Sequence, residues 1–190
     1  MNRARLSILS IILLAFTAWC GPLYAGNAIS VCFSPGGHCT DVIVKEIASA
    51  RNSILVQAYG FTSAPIAKAL LEAHKRGVKV HAILDKSNRT AKYSGADFLY
   101  NVRVPVLIDG AHAIAHNKVM VIDGEIVITG SFNFTKAAEE RNAENLLVIR
   151  DKDLAEKYRR NWNQHEAHSE AYQGKSRERT SSGKPAKPAG

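Results

Sequence analysis

Residues 112–145 read HAIAHNKVMVIDGEIVITGSFNFTKAAEERNAEN, and the order of polar and apolar positions in this stretch decides the fold. Behind His116 and Lys118, residues 116–122 are apolar and rich in β-branched side chains, and residues 125–129 (EIVIT) repeat that character. Asp123-Gly124 stands between the two runs, the strongest short-range signal for a hairpin. Side chains alternate faces along a strand, so His116 and Lys118 project to one side. Ser131 and Asn133 are also two apart and share a face where the chain stays extended past Gly130. The hairpin thus gathers an imidazole, an ammonium, a hydroxyl and an amide, groups suited to a phosphodiester.

Working outward, residues 28–33 (AISVCF) read as a first strand, followed by a turn at Ser34-Pro35-Gly36-Gly37. Residues 41–51 carry apolar positions at helical spacing, with Thr40 as cap. Residues 53–59 (SILVQAY) form a buried strand, 63–77 a helix opened by Ser63 and Pro65 and closed by Gly77, and 78–85 (VKVHAILD) another strand. Residues 87–101 read as helical and 102–108 as a strand broken by Pro105. After the hairpin come a short helix at 136–141, a strand at 145–150 and a final helix from Asp151 to about residue 162. Strands alternating with helices predict an α/β fold: a mixed, mostly parallel central sheet with helices on both faces.

The chain has 190 residues and a formal charge of +8, enough for about one domain. Residues 1–25 have Arg3 and Arg5, an apolar run at 6–19 and small residues near Ala25, the pattern of a secretory signal peptide. The run is short for a membrane span and Gly21-Pro22 interrupts it, so no stable membrane insertion is expected after cleavage. Removing both arginines leaves 8 − 2 = +6, a charge that suits an anionic partner or simply solubility. Cys32 and Cys39 then remain as an even pair in an oxidising compartment, periplasmic or extracellular, and are expected to form a disulfide. His38 beside them makes too small a ligand set for a metal. From 166 to 190 apolar residues give way to Gly, Ser, Lys and Pro, which predicts a flexible basic tail after a domain spanning 26–165.

The spacing His116-x-Lys118, Asp123, Gly130-Ser131-x-Asn133 resembles the HxKxxxxDxxxxxxGSxN signature of the phospholipase D superfamily, with every fixed position filled. Residues 57–59 and 73–85 (AHKRGVKVHAILD) extend the likeness over most of 28–162. The resemblance implies a phospholipase D-like α-β-α sandwich and metal-independent phosphodiester cleavage with no cofactor. In it His116 is the nucleophile that forms a phosphohistidine, while Lys118, Ser131 and Asn133 hold the phosphoryl oxygens. Glu144 falls where nuclease members carry a carboxylate supporting the catalytic histidine. Asp123 and Gly130 have mainly structural parts. Larger members carry the signature twice; here none of His38, His74, His81, His112, His165 or His168 begins a second HxK, so a homodimer sharing one site is expected.

A lone histidine is more often structural, and His74, His81, His112, His165 and His168 receive no role. Asp109 and Glu125 form no compact carboxylate cluster, so no metal is expected. Tyr59, Phe61, Phe132 and Phe134 have faces either for stacking on bases or for core packing. The single signature, small size and basic charge resemble the small chelator-resistant bacterial endonucleases of the superfamily, which implies DNA as substrate with RNA as a second one. The alternatives are a phospholipase or cardiolipin-type lipid phosphodiesterase, and a nucleic-acid-binding module without catalysis.

Overall fold

A computed structural model of the chain describes residues 28–91 and 94–175. The expected signal peptide and positions 176–190 of the expected tail lie outside the described residues. In chain order the elements are β1 (Ala28–Ser34), α1 (Cys39–Ser49), β2 (Ser53–Ala58), α2 (Ala64–Lys75), β3 (Lys79–Asp85), a 3-10 turn (Lys86–Arg89), α3 (Gly95–Asn101), β4 (Val106–Asp109), β5 (Lys118–Ile122), β6 (Ile126–Gly130), α4 (Lys136–Glu140), β7 (Glu144–Arg150), α5 (Lys152–Glu166) and β8 (Glu170–Ala171).

The strands join in one mixed sheet of order β1-β7-β6-β5-β2-β3-β4-β8. Only the β2–β3 and β3–β4 neighbours run parallel, each linked through a helical crossover. The expected mostly parallel sheet is therefore corrected to a mostly antiparallel one. A tight turn joins only antiparallel strands, and Asp123 (φ 54°) with Gly124 (φ 68°) opens such a turn, completed by Glu125, between β5 and β6. In addition, β1 does not return beside β2 but crosses to the far edge and pairs antiparallel with β7.

Both faces are covered, as expected. On one, Ile43 and Ile47 of α1, Ile66 and Leu70 of α2 and Leu99 of α3 pack on Val56, Leu84, Ile108, Met120 and Ile128. These positions recur at helical and strand periods, and each fully buried aliphatic contributes about 1.5–3 kcal/mol. On the other face Leu154, Ala155 and Tyr158 of α5 meet Leu55, Val119, Val121, Val127 and Ile149. Asp151 caps this helix by accepting from Leu154 N at 3.0 Å, and Trp162 Nε1 donates to the Val56 carbonyl at 3.0 Å. Consequently β5 is buried along its whole length.

The folded unit does not stop at 165. Residues 166–175, read as the start of a flexible tail, finish α5, add β8 to the β4 edge and bury Tyr172. The Tyr172 hydroxyl donates to Asp97, its ring meets Tyr100 edge-on at 5.7 Å, and Lys175 Nζ pairs with Asp97 at 2.8 Å. Averaged composition hides a single aromatic anchor, and one is enough to hold a short segment once a hydrogen bond and an ion pair accompany it. The disulfide forms as expected: Cys32 of β1 is bonded to Cys39 at the start of α1.

Asp123 does its work at the other end of the sheet from the signature's polar groups. Its carboxylate accepts from the backbone N–H groups of Arg51, Asn52 and Ser53 at 2.9, 2.7 and 2.9 Å. Burial pushes this carboxyl up, but the three amides outweigh it and hold it below the ordinary value. A carboxyl lowered in the folded state contributes stability above its unfolded pKa and loses it as pH falls through the folded one. Asp123→Asn is therefore expected to cost about 1–3 kcal/mol at neutral pH. Thermal melts should show the gap to wild type closing as the pH is taken below the carboxylate range. A gap that persists undiminished would mean the charge is irrelevant.

Candidate active site

Because β5 lies antiparallel beside β2, with Ala58 opposite Lys118, the chain leaving β2 meets the chain entering β5. Tyr59 N donates to the Asn117 carbonyl at 2.9 Å, and this contact sets Tyr59 against the signature. The Tyr59 ring lies 4.8 Å from the His116 ring, tilted by 58°, and 5.3 Å from Lys118 Nζ. His116 is exposed, and its ring makes no hydrogen bond among the described residues. Lys118 is buried, 7% exposed, and its ammonium donates to the His116 carbonyl at 2.8 Å. Burial pushes the Lys118 ammonium down, the Glu144 charge pushes it back up, and the net direction is down.

The segment before His116 is tied from beneath. Asp85, at the end of β3 and 3% exposed, accepts from Ala115 N at 2.8 Å and from Ser87 N at 2.9 Å. Burial raises its carboxyl, while the Ser87 and Ala115 bonds more than offset this and leave it lowered. One buried carboxylate therefore fixes both the 3-10 turn and the approach to His116.

On β6 and β7 the remaining signature groups gather around Gly130. Its φ of 145° and the 2.3 Å separation between an added Cβ and the Asn145 carbonyl oxygen exclude any side chain there. The bend lets Ser131 N donate to the Asn145 side-chain Oδ1 at 2.9 Å, while Asn145 N donates to Ser131 Oγ at 3.0 Å. The Ser131 hydroxyl donates to Glu144 Oε2 at 2.6 Å, and Asn142 Nδ2 donates to Glu144 Oε1 at 2.9 Å. Asn133 follows with its amide oxygen buried beside Gly60 and without a hydrogen-bond partner. Its NH2 group carries two N–H donors.

The structure brings His116 and Lys118 together, and Ser131 and Glu144 together, with the Glu144 charge felt at Lys118. The expected hydrogen bond from Glu144 to the His116 ring is absent; adjacent strands β6 and β7 present Glu144 to Ser131 instead. Phe61, Phe132 and Phe134 are fully buried and belong to the core, leaving Tyr59 as the aromatic at the site. Glu125 pairs with Lys152 at 2.8 Å on the surface. Sequence reading left Tyr59 between base stacking and core packing and passed over Asp85 and Asn145. The β2–β5 pairing would have found Tyr59, but it is a long-range contact that no local pattern carries.

A chain in which an HxK strand, a Gly-Ser-x-Asn bend and a carboxylate converge on one sheet end is a member of the phospholipase D superfamily. Residues 43–165 match the family described as Cardiolipin synthase, PLD-like domain, and the protein is a phosphodiesterase of that type. Among individual relatives, the chain is 49% identical over 136 residues to a phospholipase D of Rickettsia felis, covering 72% of this chain and 68% of that one. It is 32% identical over 118 residues to a mitochondrial cardiolipin hydrolase of Xenopus laevis, covering 62% of this chain and 56% of the other. Among solved structures, the phospholipase D family member Nuc from Salmonella typhimurium superposes with a TM-score of 0.75 at 37% identity, over 77% of this chain and 99% of that one. NucT from Helicobacter pylori gives 0.70 at 27% identity, over 77% and 100%.

Proposed function

We propose that this phosphodiesterase is an endonuclease that hydrolyses DNA, with RNA as a second substrate, without a metal, through a phosphohistidine on His116 and in a site shared by two copies. The observation that carries the chemistry is an exposed imidazole with both ring nitrogens open, held beside a buried ammonium. His116 attacks phosphorus as the bond to the leaving oxygen breaks. That oxygen takes its proton from the imidazolium of the second copy's His116. Water then attacks the phosphohistidine, gives its proton to the same second imidazole, and the P–N bond opens. Lys118, Ser131 and the Asn133 NH2 group stabilise the equatorial oxygens, with Glu144 orienting the Ser131 hydroxyl and balancing Lys118.

Two copies are needed because in-line displacement requires a proton donor opposite the nucleophile, and the chain has one HxK. Ile114, two residues before His116, is a large apolar side chain left 57% exposed, in keeping with a partner surface around the site. Nucleic acid as substrate is supported by the basic charge, 8 − 2 = +6 once residues 1–25 are removed, and by the likeness to Nuc and NucT over essentially their whole length. The disulfide and the amino-terminal pattern support a periplasmic or secreted setting. Among the described residues no helix is long and apolar enough to cross a membrane.

The second reading, a lipid phosphodiesterase using the same residues, draws on the 49% identity to a phospholipase D. One experiment separates them: purified protein with supercoiled plasmid, RNA or phosphatidylcholine and cardiolipin vesicles, each in excess EDTA. Plasmid nicking in chelator is the expected result. Release of headgroup from vesicles with intact plasmid would move the assignment to lipid, and cleavage that stops in EDTA would overturn the metal-free mechanism.

A further inference from the structure

Away from His116 the fold collects four side chains that this chemistry leaves unused. Asp109 ends β4 with no solvent exposure, His112 follows three residues later, His165 lies in the last turn of α5 and His168 just beyond it. His165 Nδ1, His112 Nδ1 and His168 Nε2 lie 2.7, 3.0 and 3.3 Å from the single oxygen Asp109 Oδ2. The three rings face one another with centroids 4.8, 5.2 and 5.3 Å apart, and four ligand atoms fall within 4.8 Å of each other. The sequence reading assigned no metal and treated these histidines separately, since 56 residues part Asp109 from His165.

We propose that Asp109, His112, His165 and His168 bind one divalent transition-metal ion, zinc by the character of the donors, which fastens the end of α5 to β4 and to the segment leading to His116. Three imidazole nitrogens and one carboxylate oxygen form a borderline donor set that suits zinc; magnesium and calcium take oxygen ligands. Zinc bonds of about 2.0–2.1 Å in a tetrahedron place donors roughly 3.3 Å apart, close to the separations from Asp109 Oδ2. His112 Nδ1 also lies 3.1 Å from Asp109 Oδ1, so hydrogen bonds to both carboxylate oxygens hold the rings in place, and an ion would take one lone pair from each of the four ligands so arranged. The supporting contacts are in place: Ala111 N donates to Asp109 Oδ1 at 3.0 Å, leaving Oδ2 for the ion, and Lys86 Nζ holds the His112 carbonyl at 2.8 Å. His112 and His168 are exposed enough to close on an ion anchored by buried Asp109 and half-buried His165.

The test uses the untagged chain, stripped with EDTA, desalted and titrated with zinc chloride and, separately, cobalt chloride. One zinc per chain, a zinc-dependent rise in Tm and the absorption of tetrahedral cobalt are expected. His112→Ala and His165→Ala should each weaken zinc binding at least about 100-fold, and His116→Asn should leave it unchanged. Because His112 is surface-exposed, its variant stays informative if His165→Ala folds poorly. Substoichiometric zinc, or binding that survives both substitutions, would overturn the site and leave a hydrogen-bonded cluster. EDTA should lower Tm while hydrolysis below that temperature continues, so this site and the metal-free mechanism are judged by different readouts.

Discussion

His116→Asn should lower phosphodiester turnover by at least ~10^4-fold, with circular dichroism and Tm at wild-type values. Asparagine has no nucleophilic nitrogen at neutral pH and cannot carry the phosphoryl group. The ring is exposed and makes no hydrogen bond among the described residues, so its loss leaves the core untouched. The same variant tests the shared site. If each centre needs two imidazoles, wild type refolded with an equal amount of His116→Asn retains roughly a quarter of the activity of the same total of wild type; independent sites retain about half. A mixture at one half would end the dimer mechanism, and a variant that keeps substantial turnover would remove His116 from the reaction.

Lys118→Met should be the second severe loss, on the order of 10^3-fold in kcat, yet the protein should melt at a higher temperature than wild type. The sign follows from the direction of the Lys118 shift. An ammonium lowered in the folded state binds its proton less well there than in the unfolded chain, so the charged form costs stability at neutral pH. That cost fades as the pH rises through the lowered value, where the catalytic cation is also lost. Methionine fills similar volume beside Tyr59 without the charge. Rate profiles of wild type should therefore fall on the alkaline side, and the Tm advantage of the variant should shrink there. A Lys118→Met protein that is less stable than wild type at pH 7 would show that the ammonium is well paired in its burial.

Much of this was written locally in the chain. The Asp123-Gly124 turn, the two-residue spacing of His116 and Lys118, and the apolar period of α1, α2 and α5 each depend on neighbours within one or two turns. The bend at Gly130 was visible as a glycine but not as an obligation, because the Asn145 carbonyl that forbids a side chain comes from another strand. Strand direction is where local reading falls furthest short. Periodicity tells which residues are buried and not which strand lies alongside, so β1 was placed in a parallel array that it leaves for the opposite edge. The partner of Glu144 failed for a related reason: sequence position brought it near the site, but the β6–β7 register chose Ser131.

The two-residue strand β8 matters beyond its length. It lies along β4, the last parallel strand, which otherwise presents bare carbonyl and amide groups on that side. A gene shortened at residue 165 would strip this guard along with the Tyr172 anchor. The naked border would then be free to recruit a like segment from another molecule, turning a folded enzyme into a seed for clumping.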